Sequence, residues 1–282
     1  MIVFMNGRFL AEEQATVSIF DRAFLYGDGL FETLRVVCGL PLHWREHLDR
    51  LQRGADFLRI RLPFAEPELR GFAGELLRVN ALADAVLRVT VSRGVGLRGY
   101  SCKGADAPSV VMTLHPPPSL DPVNPIRWRL KTATLRVAPN DPLAQVKTAN
   151  KLHQILAHAE AEAAAVDEAL LLNTNGHAAE AARANLFWAV GDQVLTPPLE
   201  AGILAGITRQ AVLGICRALG IPAKEELITL PALKKADSLF LTLSTLGIVE
   251  VLSLDDQAFQ AAPVVRRLRE AYVLRLAQGL PA

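Results

Sequence analysis

Val146-Lys147-Thr148-Ala149-Asn150, an alanine-rich run to Val166, then Asp167-Glu-Ala-Leu-Leu-Leu-Asn-Thr-Asn-Gly176 form the stretch whose reading decides the fold. It predicts a helix over residues 149–165 and a strand over Glu168–Leu172. Strands follow over Leu186–Val190 and Gln193–Thr196. Between these strands, Ala178–Ala184 sets Glu180 and Arg183 among five alanines. The next helix spans Thr208–Leu219 and is ended by Gly220 and Pro222, in the order that helix termini favour. Asp237–Leu243 and Ile248–Leu252 read as strands. Upstream, Ile126, Trp128 and Leu130 alternate with Arg127, Arg129 and Lys131, the period of a half-buried strand. Strands and helices do not alternate regularly, so the class is α+β and not a doubly wound sheet.

The first half repeats the mixture. Asn6-Gly7 is a hairpin turn signal between Ile2–Met5 and Arg8–Leu10. Strands are predicted over Leu30–Val37, Val86–Ser92 and Ser109–Leu114, and helices over Leu42–Leu58 and Pro67–Val79. His115-Pro-Pro-Pro-Ser-Leu-Asp-Pro-Val-Asn-Pro125 holds five prolines in eleven residues. Such a run neither continues a helix nor sits inside a sheet. The expected organisation is therefore a smaller domain over 1–115, a linker over 116–125 and a larger domain over 126–282 that carries Lys147.

The 282 residues carry thirty Lys and Arg against twenty-nine Asp and Glu, which gives no field for nucleic acid or an anionic membrane. Cys38, Cys102 and Cys216 are far apart, in neither a disulfide nor a zinc pattern, and read as small apolar fillers in a reducing cytoplasm. No leader and no apolar run of membrane length is evident. Gly94-Val-Gly-Leu-Arg-Gly99 matches a dinucleotide fingerprint, but a loop sequence follows it where that site requires a helix. The glycines are expected instead to fold a tight loop that aims Arg98 and Tyr100 into a cleft. Only seven lysines are present, so few side chains could form an imine with a carbonyl cofactor.

Taken in order, several motifs make the chain resemble the class IV aminotransferases. They are Asp21-Arg-Ala-Phe-Leu-Tyr-Gly-Asp-Gly29, Phe31-Glu-Thr33, His47-Leu-Asp-Arg50-Leu51, Lys147-Thr-Ala-Asn150, Glu180, Asn185-Leu-Phe-Trp188 and Gly206-Ile-Thr-Arg209. That family comprises pyridoxal 5'-phosphate enzymes of the two-domain D-amino-acid aminotransferase-like fold, fold type IV. The resemblance implies Lys147 as the Schiff-base lysine, with Lys151 as competitor, and Glu180 as partner of the cofactor's ring nitrogen. A carboxylate there favours the protonated ring, the better electron sink. Arg50 would hold the phosphate, unless it only pairs with Glu46 along its helix. Ile207 and Thr208 would bind the phosphate at a helix start, and Ser244 and Thr245 would complete the cup.

Within the family, Ser92–Tyr100 and Asn185-Leu-Phe-Trp188 look most like aminodeoxychorismate lyases, which release 4-aminobenzoate and pyruvate and so make a folate precursor. On that reading Arg98, with Arg93 as alternative, holds a substrate carboxylate; Tyr100 orients it; and Phe31 lines the substrate site. The other reading is an aminotransferase of D-amino or branched-chain amino acids with a 2-oxo acid acceptor. D-amino-acid enzymes use tyrosine where this chain has Phe31 and histidine where it has Tyr100. Either way the expected partner is a small molecule bearing an amine and a carboxylate, handled by a homodimer in the cytoplasm. No metal, nucleic acid or membrane is expected.

Overall fold

A computed structural model describes residues 1–119 and 124–277. Within the proline-rich linker, Leu120–Val123 lie outside the described residues. The chain forms two compact units.

The first unit comprises Met1–Pro117 together with Val146–Lys151. Its strands are β1 (Ile2–Met5), β2 (Arg8–Ala11), β3 (Gly29–Val37), β4 (Leu40–Pro41), β5 (Ala85–Ser92) and β6 (Ser109–His115). Its helices are α1 (Arg22–Tyr26), α2 (Trp44–Leu58) and α3 (Glu66–Val79). The strands form one sheet in the order β2-β1-β6-β5-β3-β4. Asn6 and Gly7 both take positive φ in the β1–β2 turn, as an Asn-Gly hairpin requires. Leu30, Leu34 and Val36 of β3 pack with Leu48, Leu51 and Ala55 of α2 in the core.

The second unit holds the described residues of Pro118–Gln145 and those from Leu152 onward. Its strands are β7 (Arg127–Val137), β8 (Glu168–Asn173), β9 (Ala178–Ala181), β10 (Asn185–Val190), β11 (Gln193–Thr196), β12 (Ala223–Glu225), β13 (Ser238–Leu243), β14 (Gly247–Leu254) and β15 (Gln257–Ala258). Its helices are α4 (Leu152–Ala163), α5 (Ile207–Ala218), α6 (Leu230–Leu233) and α7 (Pro263–Ala277). The sheet runs β12-β11-β10-β13-β14-β7-β8-β9, with β9 also reaching β10 and β15 paired to β14. β8 and β10 are almost wholly buried, so they carry continuous apolar runs instead of alternation.

Three expectations need correction. The segment with Lys147 packs in the first unit, not with the C-terminal part of the chain. The Phe31 amide donates to the Lys147 carbonyl (3.0 Å) and the Ala149 amide to the Gly29 carbonyl (2.8 Å). These bonds lay residues 147–149 along the edge of β3 that β4 leaves open, and they hold the backbone extended. The helix expected from Ala149 therefore begins at Leu152. Finally, only Cys216 is a buried filler; Cys38 and Cys102 are exposed, and all three thiols are free.

Candidate active site

In the first unit, Phe31 organises one set of side chains. On β3 and β5, Phe31 faces Thr90 and Thr33 faces Arg88. Arg88 is thus diagonal to Phe31 on the same face of the sheet, within reach of its ring. The Arg88 guanidinium lies 3.9 Å from the ring centroid, Lys147 Nζ 4.6 Å and Lys151 Nζ 6.0 Å. Sequence motifs point to Lys147, Lys151 and Phe31 but not to Arg88, which reads as the wet side of an alternating strand. Arg88 is half-buried, and burial lowers its pKa. Such a cation is suited to an incoming anionic group.

Behind this face, Glu32 points into the core. Its carboxylate accepts from Arg50 Nε and Nη2 and faces His47 Nδ1, all at 2.7 Å. All three side chains are buried. Burial alone would raise the Glu32 carboxyl, but the hydrogen bonds from Arg50 and His47 outweigh it and bring it down to about 2. Burial holds His47 below its ordinary value against the pull of Glu32. A carboxylate can only accept, so neutral His47 carries its proton on Nδ1. Arg50 is the residue expected at the phosphate; its bidentate partner here is Glu32, a member of the Phe31-Glu-Thr33 motif to which the sequence assigns no role. The bond fixes the guanidinium plane.

Arg98 and Tyr100 lie in the loop between β5 and β6, and both are exposed. Gly94 and Gly99 take positive φ, and no helix follows, as the loop reading requires. Arg93, the alternative to Arg98, is committed elsewhere. It is buried and donates to both Asp28 oxygens (2.7 and 3.0 Å) and to the carbonyls of Leu58 and Arg59 (2.8 and 3.2 Å).

The second unit collects the other set. Glu180 sits on β9, a strand that its alanine-rich sequence does not announce, and pairs with Asn185 of β10. Glu180 Oε2 accepts from Asn185 Nδ2 (3.1 Å) and from the Leu204 amide (3.0 Å). The same Asn185 amide donates to the Leu204 carbonyl (2.9 Å). Gly206 then starts α5, and a Cβ there would run into Asn185 Oδ1. Glycine at 206 therefore lets the helix start lie against the Glu180–Asn185 pair. Gly206 has no side chain to cap α5, so no N-cap side chain accepts from the first amides of the helix, at Ile207 and Thr208. Arg209 anchors the same turn through the Pro197 carbonyl (2.9 Å) and Glu225 (2.5 Å). Asn185 faces Thr242 of β13, so the Ser244–Thr245 turn follows just beyond the Asn185 end of β10.

Each unit's set, taken by itself, fits a part of pyridoxal 5'-phosphate. An uncapped helix start suits a phosphate, a tethered carboxylate suits a ring nitrogen, and a lysine against an aromatic ring suits an aldehyde. Among the described residues no helix is long and apolar enough to cross a membrane, and no group of three His, Cys, Asp or Glu could hold a metal.

Comparison with known proteins agrees. The amino-transferase class IV model matches residues 29–254. A Methanocaldococcus jannaschii protein named "Putative branched-chain-amino-acid aminotransferase" is 37% identical, covering 96% of this chain and 95% of its own. The aminodeoxychorismate lyase of Bacillus subtilis is 30% identical over 90% of this chain and 87% of its own. The crystal structure of the Escherichia coli branched-chain amino acid aminotransferase superposes with a TM-score of 0.92 at 26% identity, covering 99% of this chain and 95% of that one. On the match over residues 29–254 and the 37% identity over nearly the whole chain, the chain belongs to the amino-transferase class IV family of pyridoxal-phosphate-dependent enzymes.

Proposed function

We propose that the protein is a 4-amino-4-deoxychorismate lyase. The observation that carries this reading is the provision for two carboxylates. One guanidinium, Arg88, is half-buried beside Lys147 over Phe31, and another, Arg98, is exposed on the β5–β6 loop. Aminodeoxychorismate carries two carboxylates and one amine, whereas a branched-chain amino acid carries a single carboxylate on an apolar chain. The Ser92–Tyr100 and Asn185–Trp188 segments, and the Bacillus subtilis relative, support the same choice.

When bound, pyridoxal phosphate supplies an aldehyde for the substrate amine and a ring that takes up the electron pair released at C4. The family resemblance would give the phosphate to Arg50 of the first unit and to Ile207, Thr208, Ser244 and Thr245 of the second, and the ring nitrogen to Glu180. Lys147 Nζ, which lies over the Phe31 ring, would take the C4 proton, and Arg88 and Arg98 would orient the carboxylates. The C–O bond to the enolpyruvyl group would then break, pyruvate would leave as its enol with that electron pair and the proton held on Lys147 Nζ, and the substrate ring would become aromatic.

The 37% identical relative favours a second reading, branched-chain aminotransfer, in which a second guanidinium would serve a dicarboxylic amine carrier. Purified enzyme given aminodeoxychorismate without any 2-oxo acid should release 4-aminobenzoate and pyruvate in equal amounts over many turnovers. Inert aminodeoxychorismate alongside brisk turnover of branched-chain amino acids with 2-oxoglutarate would replace the first reading with the second.

A further inference from the structure

Arg22 is buried on the short helix α1, yet the far end of its guanidinium serves one stretch of distant loop. Its Nη1 donates to the carbonyls of Gly99 (3.0 Å) and Ser101 (3.1 Å), and its Nη2 to that of Tyr100 (3.4 Å). Its Nε is held by Asp28 (2.8 Å), the same carboxylate that grips Arg93. Arg93 in turn caps the last carbonyls of α2, so this anchor is tied to a long helix. Burial alone would raise the Asp28 carboxyl, but the hydrogen bonds from Arg93 and Arg22 outweigh it and keep it below its ordinary value. From the other side, Tyr26 Oη accepts from the Gly99 amide (3.0 Å), and the rings of Tyr26 and Tyr100 meet edge to face at 5.8 Å. Gly96 gives the Arg22 stem its passage, since a Cβ there would approach Arg22 Cδ at 3.0 Å.

Three successive carbonyls on one guanidinium orient the peptide planes on both sides of Tyr100 and the one after Ser101, while the Gly99 amide on Tyr26 fixes the plane that follows Arg98. The stretch has no ladder of its own to do this. We propose that Arg22 is the positioning residue for Arg98 and Tyr100: it sets the loop that receives the substrate carboxylate without touching substrate. The proposal rests on the reading of that loop given above.

The test compares Arg22→Met, Arg22→Lys, Tyr26→Phe and Arg98→Ala in the holoenzyme. The substrate is aminodeoxychorismate, or the amino acid turned over if that compound is inert. Loss of one charge-assisted contact corresponds to about a tenfold rise in KM. Arg98→Ala and Arg22→Met should each show such a rise with kcat little changed, and Arg22→Met combined with Arg98→Ala should raise KM by clearly less than the product of the two single effects. A lysine cannot reach three carbonyls with a planar fork, so Arg22→Lys should rescue only partly. Amide exchange should quicken at residues 98–102 in Arg22→Met. If Arg98→Ala raises KM but the Arg22 and Tyr26 variants do not, the positioning role is wrong and the loop reading stands. If Arg98→Ala leaves KM unchanged, the loop reading falls and takes the proposal with it. Should Arg22→Met not fold, Arg22→Lys and Tyr26→Phe decide, and an unchanged KM in both overturns the proposal.

Discussion

Lys147 and Lys151 both reach the Phe31 ring, and the sequence alone keeps both in play. The structure separates them by distance, 4.6 against 6.0 Å. Lys147 also belongs to the segment whose peptide groups bond to β3, so its backbone is fixed while its side chain stays near the ring. Lys147→Ala should abolish turnover and the imine absorbance while leaving the fold intact. Borohydride reduction followed by peptide mapping checks this, and a label on any other lysine would refute the assignment. The Glu32 cluster makes a separate prediction about pH. The folded carboxyl titrates near 2 instead of 4.5. Its stabilisation is therefore complete above 4.5 and is lost as pH falls toward 2. His47 acts in the same direction. Its folded form resists protonation, so the unfolded chain gains protons first as pH drops below 6.5. The Glu32 shift corresponds to about 3 kcal/mol. Glu32→Gln should flatten the acid limb of urea-unfolding stability. It should also lower stability near neutrality by roughly 3–5 kcal/mol, because Arg50 stays buried without its carboxylate. An unchanged acid limb would show that the cluster does not set it.

Elements with a strong local period are legible in the amino-acid sequence itself: α2, α3, β5, β6, β11 and α5 fall within about two residues of expectation. The rest depends on partners far away along the chain. Glu180 stands on a strand only because β8 and β10 flank it, and its alanines carry no strand period. α4 starts late because β3 claims the preceding backbone. Arg93 reads as the alternative to Arg98, yet Asp28 and the end of α2 occupy it, and Arg88 gains interest only because Lys147 shares its aromatic ring. The Asn-Gly turn and the glycine loop, by contrast, are written locally in residues that tolerate positive φ. The start of α5 gives an element's prediction. Gly206→Ala would push a methyl into Asn185 Oδ1 and shift both the first amides and the tether of Glu180. Cofactor affinity in titrations of the apoenzyme should fall at least about tenfold with helical content unchanged. Wild-type affinity would mean that the α5 start does not hold the phosphate.

For the whole molecule, the exposed apolar side chains are unevenly placed. Ile19, Phe20, Phe24, Val95 and Leu97 are all at least half exposed, and they lie on two segments joined by the Asp21–Val95 bridge. An exposed apolar patch of this kind suits an interaction surface, and a homodimer, which the family resemblance implies, would cover it. Phe24→Glu with Leu97→Glu should shift sedimentation to the monomer while far-ultraviolet circular dichroism is kept; a dimer that survives both changes must use another surface. The interruption of the second unit by Val146–Lys151 has a consequence for synthesis. The first unit's core counts Val146 among its members, and β3 lacks its edge partner until Thr148 is present. A ribosome that has just released Pro117 has therefore not released a complete unit. The nascent sheet must wait, with part of the β3 edge open, until Lys151 clears the exit tunnel, and a gene fragment cut at the proline run would encode a first unit without its bridge to Thr148 and without Lys147.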